Sequence, residues 1–251
     1  TPQASIILQY HEHRLSQIIE AQKLEKQGKL DTFRQLKTLY SQFTNTCRAK
    51  AVYGLIAGLL QIHNFGTYHR AVHPDNIFLN EKLEVIIGEF GFAKDAEEDQ
   101  RTQLQKNACY QAPEIFLGAD YDYTIDVYAV AMIIYELLTK NQPFNGITNE
   151  MKLAKMVTTD RQKPDTTELP ADIAEALNKA WEFDKEERCS TFYLLSFFYR
   201  RHQPLFDDVD EQEYREYVEK VTEALNLNED DMRLLNCPLS TEESQAQFQQ
   251  T

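Results

Sequence analysis

No stretch of this 251-residue chain stays apolar for long. The longest such runs, AVYGLIAGLL (51–60) and VYAVAMIIY (127–135), fall far short of the about 18 residues that cross a bilayer. The opening TPQASIILQYHEHR lacks a basic stretch ahead of its one short apolar run, so it does not read as a signal peptide. It also lacks an initial Met, which reads as a fragment or a processed chain. Cysteine is sparse: Cys47, Cys109, Cys189 and Cys237 lie far apart and form no Cys-x-x-Cys pair. That argues against a disulfide framework or a zinc site, and for reduced thiols in the cytoplasm. Positive charge is short as well. Lys plus Arg is 26 against 40 Asp plus Glu, a net charge of −14. A field of that sign repels phosphate backbones and anionic lipid, so the expectation is no nucleic-acid partner and no membrane.

What is present is an ordinary globular composition, 42% hydrophobic and 26% charged, at a length that supports a substantial core. SIILQY (5–10) reads as a short buried strand, and HEHR after it as a polar turn. Residues 14–28 carry Leu15, Ile18, Ile19 and Gln22 at helical spacing, up to a break at Gly28. Helical pattern resumes from about 33 to 63, and YGLIAGLLQIH (53–63) is apolar nearly all round, which predicts a buried helix. From 64 to 95 short runs separated by Gly, Pro, Asn and Asp predict strands and loops. Residues 95–110 are polar and acidic, a surface loop. TIDVYAVAMIIYELLT (124–139) predicts the central helix of the core. LPADIAEALNKAW (169–181) and STFYLLSFFYRR (190–201) predict amphipathic helices, and an acidic helix is expected near 210–226 before a polar tail from Ser240.

Three segments then speak together: YHRAVHPDNIFL (68–79), IIGEFGFAK (86–94) and YQAPEIF (110–116). They resemble the large lobe of a eukaryotic protein kinase, whose pattern is His-Arg-Asp-Leu-x-x-x-Asn, Asp-Phe-Gly and Ala-Pro-Glu. His69, Arg70 and Asn76 fall on the first motif, Glu89-Phe90-Gly91 on the second, and Ala112-Pro113-Glu114 on the third. IDVYAV (125–130) resembles the opening of the family's central helix, and Trp181 and Arg188 match its late Trp and Arg. Over residues 6 to about 203, order and spacing both agree, with a flavour closest to the tyrosine-kinase-like group. The resemblance implies an α+β, mainly α fold: residues 1–13 as the last small-lobe strand and hinge, 14–205 as the kinase-like large lobe, and 206–251 as an acidic helical extension and tail. It implies that Leu8 sits at the gatekeeper position, with Tyr10 and His11 at the hinge where nucleotide would bind. It gives Asp126 the role of holding the catalytic loop from below, and pairs Glu114 with Arg188. His69, Phe90, Gly91 and Trp181 are structural.

The departures fall on the chemistry. The carboxylate that orients the substrate hydroxyl is Ala71, and the Lys two residues on is His73. The metal-binding Asp is Glu89, one methylene longer, and magnesium tolerates little misplacement. Lys106-Asn107 replaces a Gly-Thr pair. No Gly-rich phosphate loop, strand Lys or helical Glu partner occurs in this chain. Asn76 and Glu89 read either as the surviving half of a metal site or, preferably, as a loop hydrogen-bonder and a solvated carboxylate. His73 reads either as a substitute base or, preferably, as a surface group. The acidic run DAEED (95–99) offers Arg70 a stand-in for an activating phosphate. Helix 211–227 reads as docking either a partner or its own domain. The function expected is a pseudokinase that binds proteins in signalling, its partner unknown. The expected surface is the groove near the hinge and the helices after 140. No cofactor is expected; the alternative is a fragment of a weak Ser/Thr kinase, with ATP and magnesium, if a small lobe lies upstream.

Overall fold

The computed structural model describes residues 10–95, 108–201 and 204–236, without the side chains of 92, 94, 95, 145 and 146. Short strands and helices alternate at the start. They are β1 (His13–Arg14), α1 (Leu15–Lys26), α2 (Arg34–Gln42), α3 (Asn45–Asn64), β2 (Thr67–Tyr68), β3 (Ile77–Leu79), β4 (Val85–Ile87) and β5 (Lys94–Asp95). The rest is helical: α4 (Pro113–Leu117), α5 (Thr124–Thr139), α6 (Glu150–Thr158), α7 (Ala171–Ala180), α8 (Thr191–Arg200), α9 (Glu211–Ala224) and α10 (Glu229–Asn236). This is the mainly helical α+β architecture of a kinase large lobe. Among the described residues no helix is long and apolar enough to cross a membrane.

Two helices make the centre. α3 buries Tyr53, Leu55, Ile56 and Leu59, and α5 buries Val127, Met132, Ile133 and Ile134. Both are apolar on every face, so each must be surrounded by other elements. α8 supplies Leu194, Leu195 and Phe198 against α3, and Trp181, just after α7, packs edge-on against Tyr135 of α5 at 5.9 Å. Local chemistry sets the helix starts. Thr44, Asn149, Ser190 and Asp210 each accept a main-chain N–H from the first turn of α3, α6, α8 and α9 respectively. Asp122 Oδ1 accepts from Thr124 N–H at 2.8 Å, at the head of α5.

Several elements differ from expectation. The helical pattern of 33–63 is two helices, because buried Phe43 turns the chain and Thr44 caps a new start. HEHR is only partly a turn: His13 and Arg14 pair antiparallel with Leu79 and Phe78, and β3 pairs in turn with β4. β2 pairs with β5. Of the expected strand 5–10 only Tyr10 lies within the described residues, outside any strand; Leu8, most of DAEED, Lys106-Asn107 and the tail fall outside them. The short helices α4, α6 and α10, of five, nine and eight residues, span too few turns for a period to stand out in the sequence.

α9 packs on its own chain. Tyr217, Val218 and Thr222 are buried; Tyr53 Oη and Thr222 Oγ1 share a hydrogen bond at 2.6 Å, and Lys50 of α3 pairs with Glu213. The approach is close because position 54 has no side chain. A Cβ there would collide with Tyr217 Oη and stand 2.9 Å from Val85 Cγ2. Gly54→Leu is therefore expected to cost about 1–3 kcal/mol of stability, the usual penalty for overpacking. Urea unfolding measures the loss, and proteolysis should show α9 cut earlier than in the parent chain.

Candidate functional site

The first turn of α5 organises the site. Asp126 is buried there, and its carboxylate accepts the main-chain N–H groups of His69 at 2.7 Å and Arg70 at 2.8 Å. His63, at the end of α3, lies 3.3 Å from the same carboxylate through Nε2 and 2.8 Å from Thr191 Oγ1 through Nδ1. Held this way, Arg70 adopts a left-handed backbone, φ 62°, that a long side chain rarely takes. Its guanidinium donates to Tyr121 Oη at 2.9 Å. The ring of His69 faces Gly88, whose carbonyl can only accept, so Nε2 donates across 2.8 Å. Nδ1 is then free to accept Ala71 N–H at 3.3 Å. Phe90 packs edge-on against this ring at 5.0 Å, although it is half exposed.

Different groups stand at the positions where the family carries its chemistry. Ala71 is a buried methyl group with no proton to give or take. Burial pushes the pKa of His73 below the ordinary histidine value, against the nearby Asp75 carboxylate 3.8 Å away. Asn76 Nδ2 donates to Ala71 O at 2.8 Å, and the Asn76 carbonyl accepts from Gly88 N–H. Glu89 also has a left-handed backbone, and its carboxylate lies 3.5 Å from Arg14 Nη2. Tyr10 and His11 line an open hollow of about 1020 Å³ with His13, Asn80 and Lys220; Ala71, Asn76 and Glu89 do not line it.

Phosphoryl transfer by kinases relies on divalent cations. Magnesium requires an octahedron of oxygens at about 2.1 Å, usually with carboxylates among them. The protein donors at this position are one carboxamide and one carboxylate, the number a kinase uses, with water and phosphate supplying the other oxygens. The carboxylate, however, is the longer Glu89 and already faces the Arg14 guanidinium, and in that arrangement the pair does not fit the ion.

The supporting residues are more completely engaged. Arg188 grips Glu114 through both terminal nitrogens, at 2.7 and 3.0 Å, and also donates to Thr124 Oγ1 and Glu182 O. Its side chain is fully buried, with the guanidinium over the Tyr128 ring. Two further groups escaped the sequence reading. Tyr110 Oη donates to Glu136 Oε2 at 2.7 Å and so ties the chain just before α4 to the last turn of α5. The available signal was an acid within an otherwise apolar run, TIDVYAVAMIIYELLT. Arg14 was missed because nothing near it in sequence marks its role.

Glu136 carries a pH prediction. Burial raises its pKa from the ordinary 4.5 to about 8, with the Tyr110 hydrogen bond opposing. The folded chain then keeps a proton that the unfolded chain releases across that window, so folding stability falls as pH rises from about 4.5 to 8. Glu136→Gln cannot ionise and escapes the loss. Its advantage over the parent chain should grow between pH 5 and pH 8 by up to about 1.4 kcal/mol per unit. Urea titrations at both pH values test this; an advantage independent of pH would overturn the burial argument.

Comparison with known proteins agrees with this geometry. The family model "Protein kinase domain" matches residues 10–199. A putative serine/threonine-protein kinase/receptor R818 of Acanthamoeba polyphaga mimivirus is 28% identical over 145 residues, 57% of this chain and 9% of that protein. The dual specificity protein kinase pyk3 of Dictyostelium discoideum is 26% identical over 147 residues, 59% of this chain and 11% of the relative. The mitogen-activated protein kinase p38a of Drosophila melanogaster is 40% identical over 96 residues, 38% of this chain and 26% of the relative. The matched segments thus span from 9% to 26% of these relatives' lengths. With its family model matched over most of its length and the Asp126 and Glu114–Arg188 anchors in place, the chain belongs to the protein kinase domain family.

Proposed function

We propose that this protein is a pseudokinase: a kinase-shaped module that binds another protein and does not transfer phosphate. The observation that carries the reading is the buried methyl of Ala71 where the family places a carboxylate. General acid–base assistance is worth about 10²–10⁴ in rate, and a methyl group supplies none. Burial lowers the His73 pKa and so disfavours the cation that normally meets the transferring phosphate. Phosphoryl transfer depends chiefly on positioning and charge stabilisation, and the donor set at Asn76 and Glu89 offers neither to a divalent ion. The scaffold contacts, by contrast, are intact. A module of this kind acts through its surface. The net charge of −14 favours a protein partner over nucleic acid or anionic lipid, and the free thiols fit the cytoplasm.

The test is phosphate transfer from radiolabelled ATP to a generic Ser/Thr substrate, with the parent chain and Ala71→Asp side by side. Neither is expected to transfer above background. Transfer by Ala71→Asp would overturn the proposal and favour a slow Ser/Thr kinase that lacks only its catalytic carboxylate.

A further inference from the structure

Arg14 lies at a junction that the strand register creates. It pairs in register with Phe78 on β3, and β3 pairs with β4, whose Ile87 comes two residues before Glu89. Gln17 Oε1 accepts the Arg14 N–H at 2.9 Å and fixes the residue at the head of α1. The guanidinium then makes three contacts. Its carbon stands 4.6 Å from the centre of the Phe78 ring, Nη1 donates to the Asp75 carbonyl, and Nη2 lies 3.5 Å from Glu89 Oε1. Phe78, Asp75 and Glu89 belong to the strand, the catalytic-loop turn and the metal-position motif. One cation of the chain itself therefore touches all three.

We propose that Arg14 is the built-in counter-cation of this cleft, standing at Glu89 where a catalytic kinase would hold a divalent metal. Three observations converge on it. Glu89 is a methylene longer than the family's Asp, and its carboxylate lies 3.5 Å from Arg14 Nη2. The other donor, Asn76, is held through Nδ2 to the Ala71 carbonyl and offers a metal a neutral oxygen, so attraction of a cation falls to Glu89. A divalent ion on the Glu89 carboxylate would stand within a few ångströms of a guanidinium that two further contacts hold in place, and like charges at that range repel. The Arg14–Glu89 pair is half exposed, with side chains 42% and 53% accessible, so it contributes little to folding. Its consequence is for ligand choice: the carboxylate at the metal position already has a counter-cation without metal. The inference rests on the inactive reading above in one respect, that no metal has to be held for phosphoryl transfer.

Manganese is a suitable probe, because its paramagnetism broadens nearby amide resonances and so reports binding site by site. The ¹⁵N-labelled chain is titrated with manganese, and the amides of Gly88, Phe90 and Gly91 are compared with those of α9, which report general attraction to an acidic surface. In the parent chain the three cleft amides should broaden no more than those of α9, and Glu89→Gln should leave them unchanged. Arg14→Gln should broaden them at about tenfold lower manganese, the scale expected when a neighbouring like charge is removed. Adding Glu89→Gln to Arg14→Gln should abolish the gain. Broadening in the parent chain that Glu89→Gln removes would overturn the proposal, and so would an Arg14→Gln chain that behaves like its parent. Either result would leave the phosphate-transfer test of Ala71→Asp to decide the inactive reading separately.

Discussion

A single buried carboxylate holds the site in shape. Asp126 sits in the first turn of α5, where the helix end favours negative charge, and accepts two main-chain N–H groups of the 69–70 loop. Burying an unpaired carboxylate costs several kcal/mol, and these charge-assisted bonds, with His63 beside them, are what make the burial tolerable. The constraint runs both ways. The loop cannot relax while Asp126 grips it, so Arg70 keeps its left-handed backbone. Asp126 cannot move either, because the rest of α5 is embedded in the core. Loop geometry therefore survives the loss of the loop's own catalytic carboxylate, since position 71 contributes nothing to the grip.

α5 bears two other anchors, and their burial separates scaffold from chemistry. Arg188 holds Glu114 and Thr124 in a dry setting, where removing one partner of an ion pair costs about 3–5 kcal/mol. Tyr110 reaches Glu136 farther along the helix. The cleft groups lie in a different regime. An exposed pair such as Arg14–Glu89 is worth about 0–1 kcal/mol, and the methyl of Ala71 leaves no polar atom to satisfy. Folding thus presses hard on 114, 126 and 188 and lightly on 71 and 89. A chain of this fold can exchange its chemistry and keep its shape.

That division also explains what could be read in advance. The kinase resemblance was legible because its motifs are short and contiguous, and because the residues that carry it are the anchors. α5 was legible over its full length, since a helix apolar on all sides has no competing interpretation at that length. The break at Phe43–Thr44 was not, because an N-cap inside a helical pattern is a weak signal against the twenty helical residues that follow it. Glu136 had a signal, a charge in an apolar helix, but its partner Tyr110 lies 26 positions away. Arg14 had none. Its role depends on a two-residue strand finding β3, and pairing register between distant strands is not written in local sequence.

The departures from the family pattern become coherent once Arg14 is placed among them. Each looks like an isolated loss in sequence. Two of them offset each other in charge. Ala71 removes a negative charge from the loop, and His73, whose charged form burial disfavours, weakens the positive charge two residues later. Glu89 retains a negative charge, and Arg14 answers it from outside the motifs. A catalytic floor carries an excess of negative charge that metal and nucleotide complete. Here the carboxylate at the metal position already meets a cation of the chain, and on the reading proposed above that contact weakens the pull on a divalent ion at Glu89.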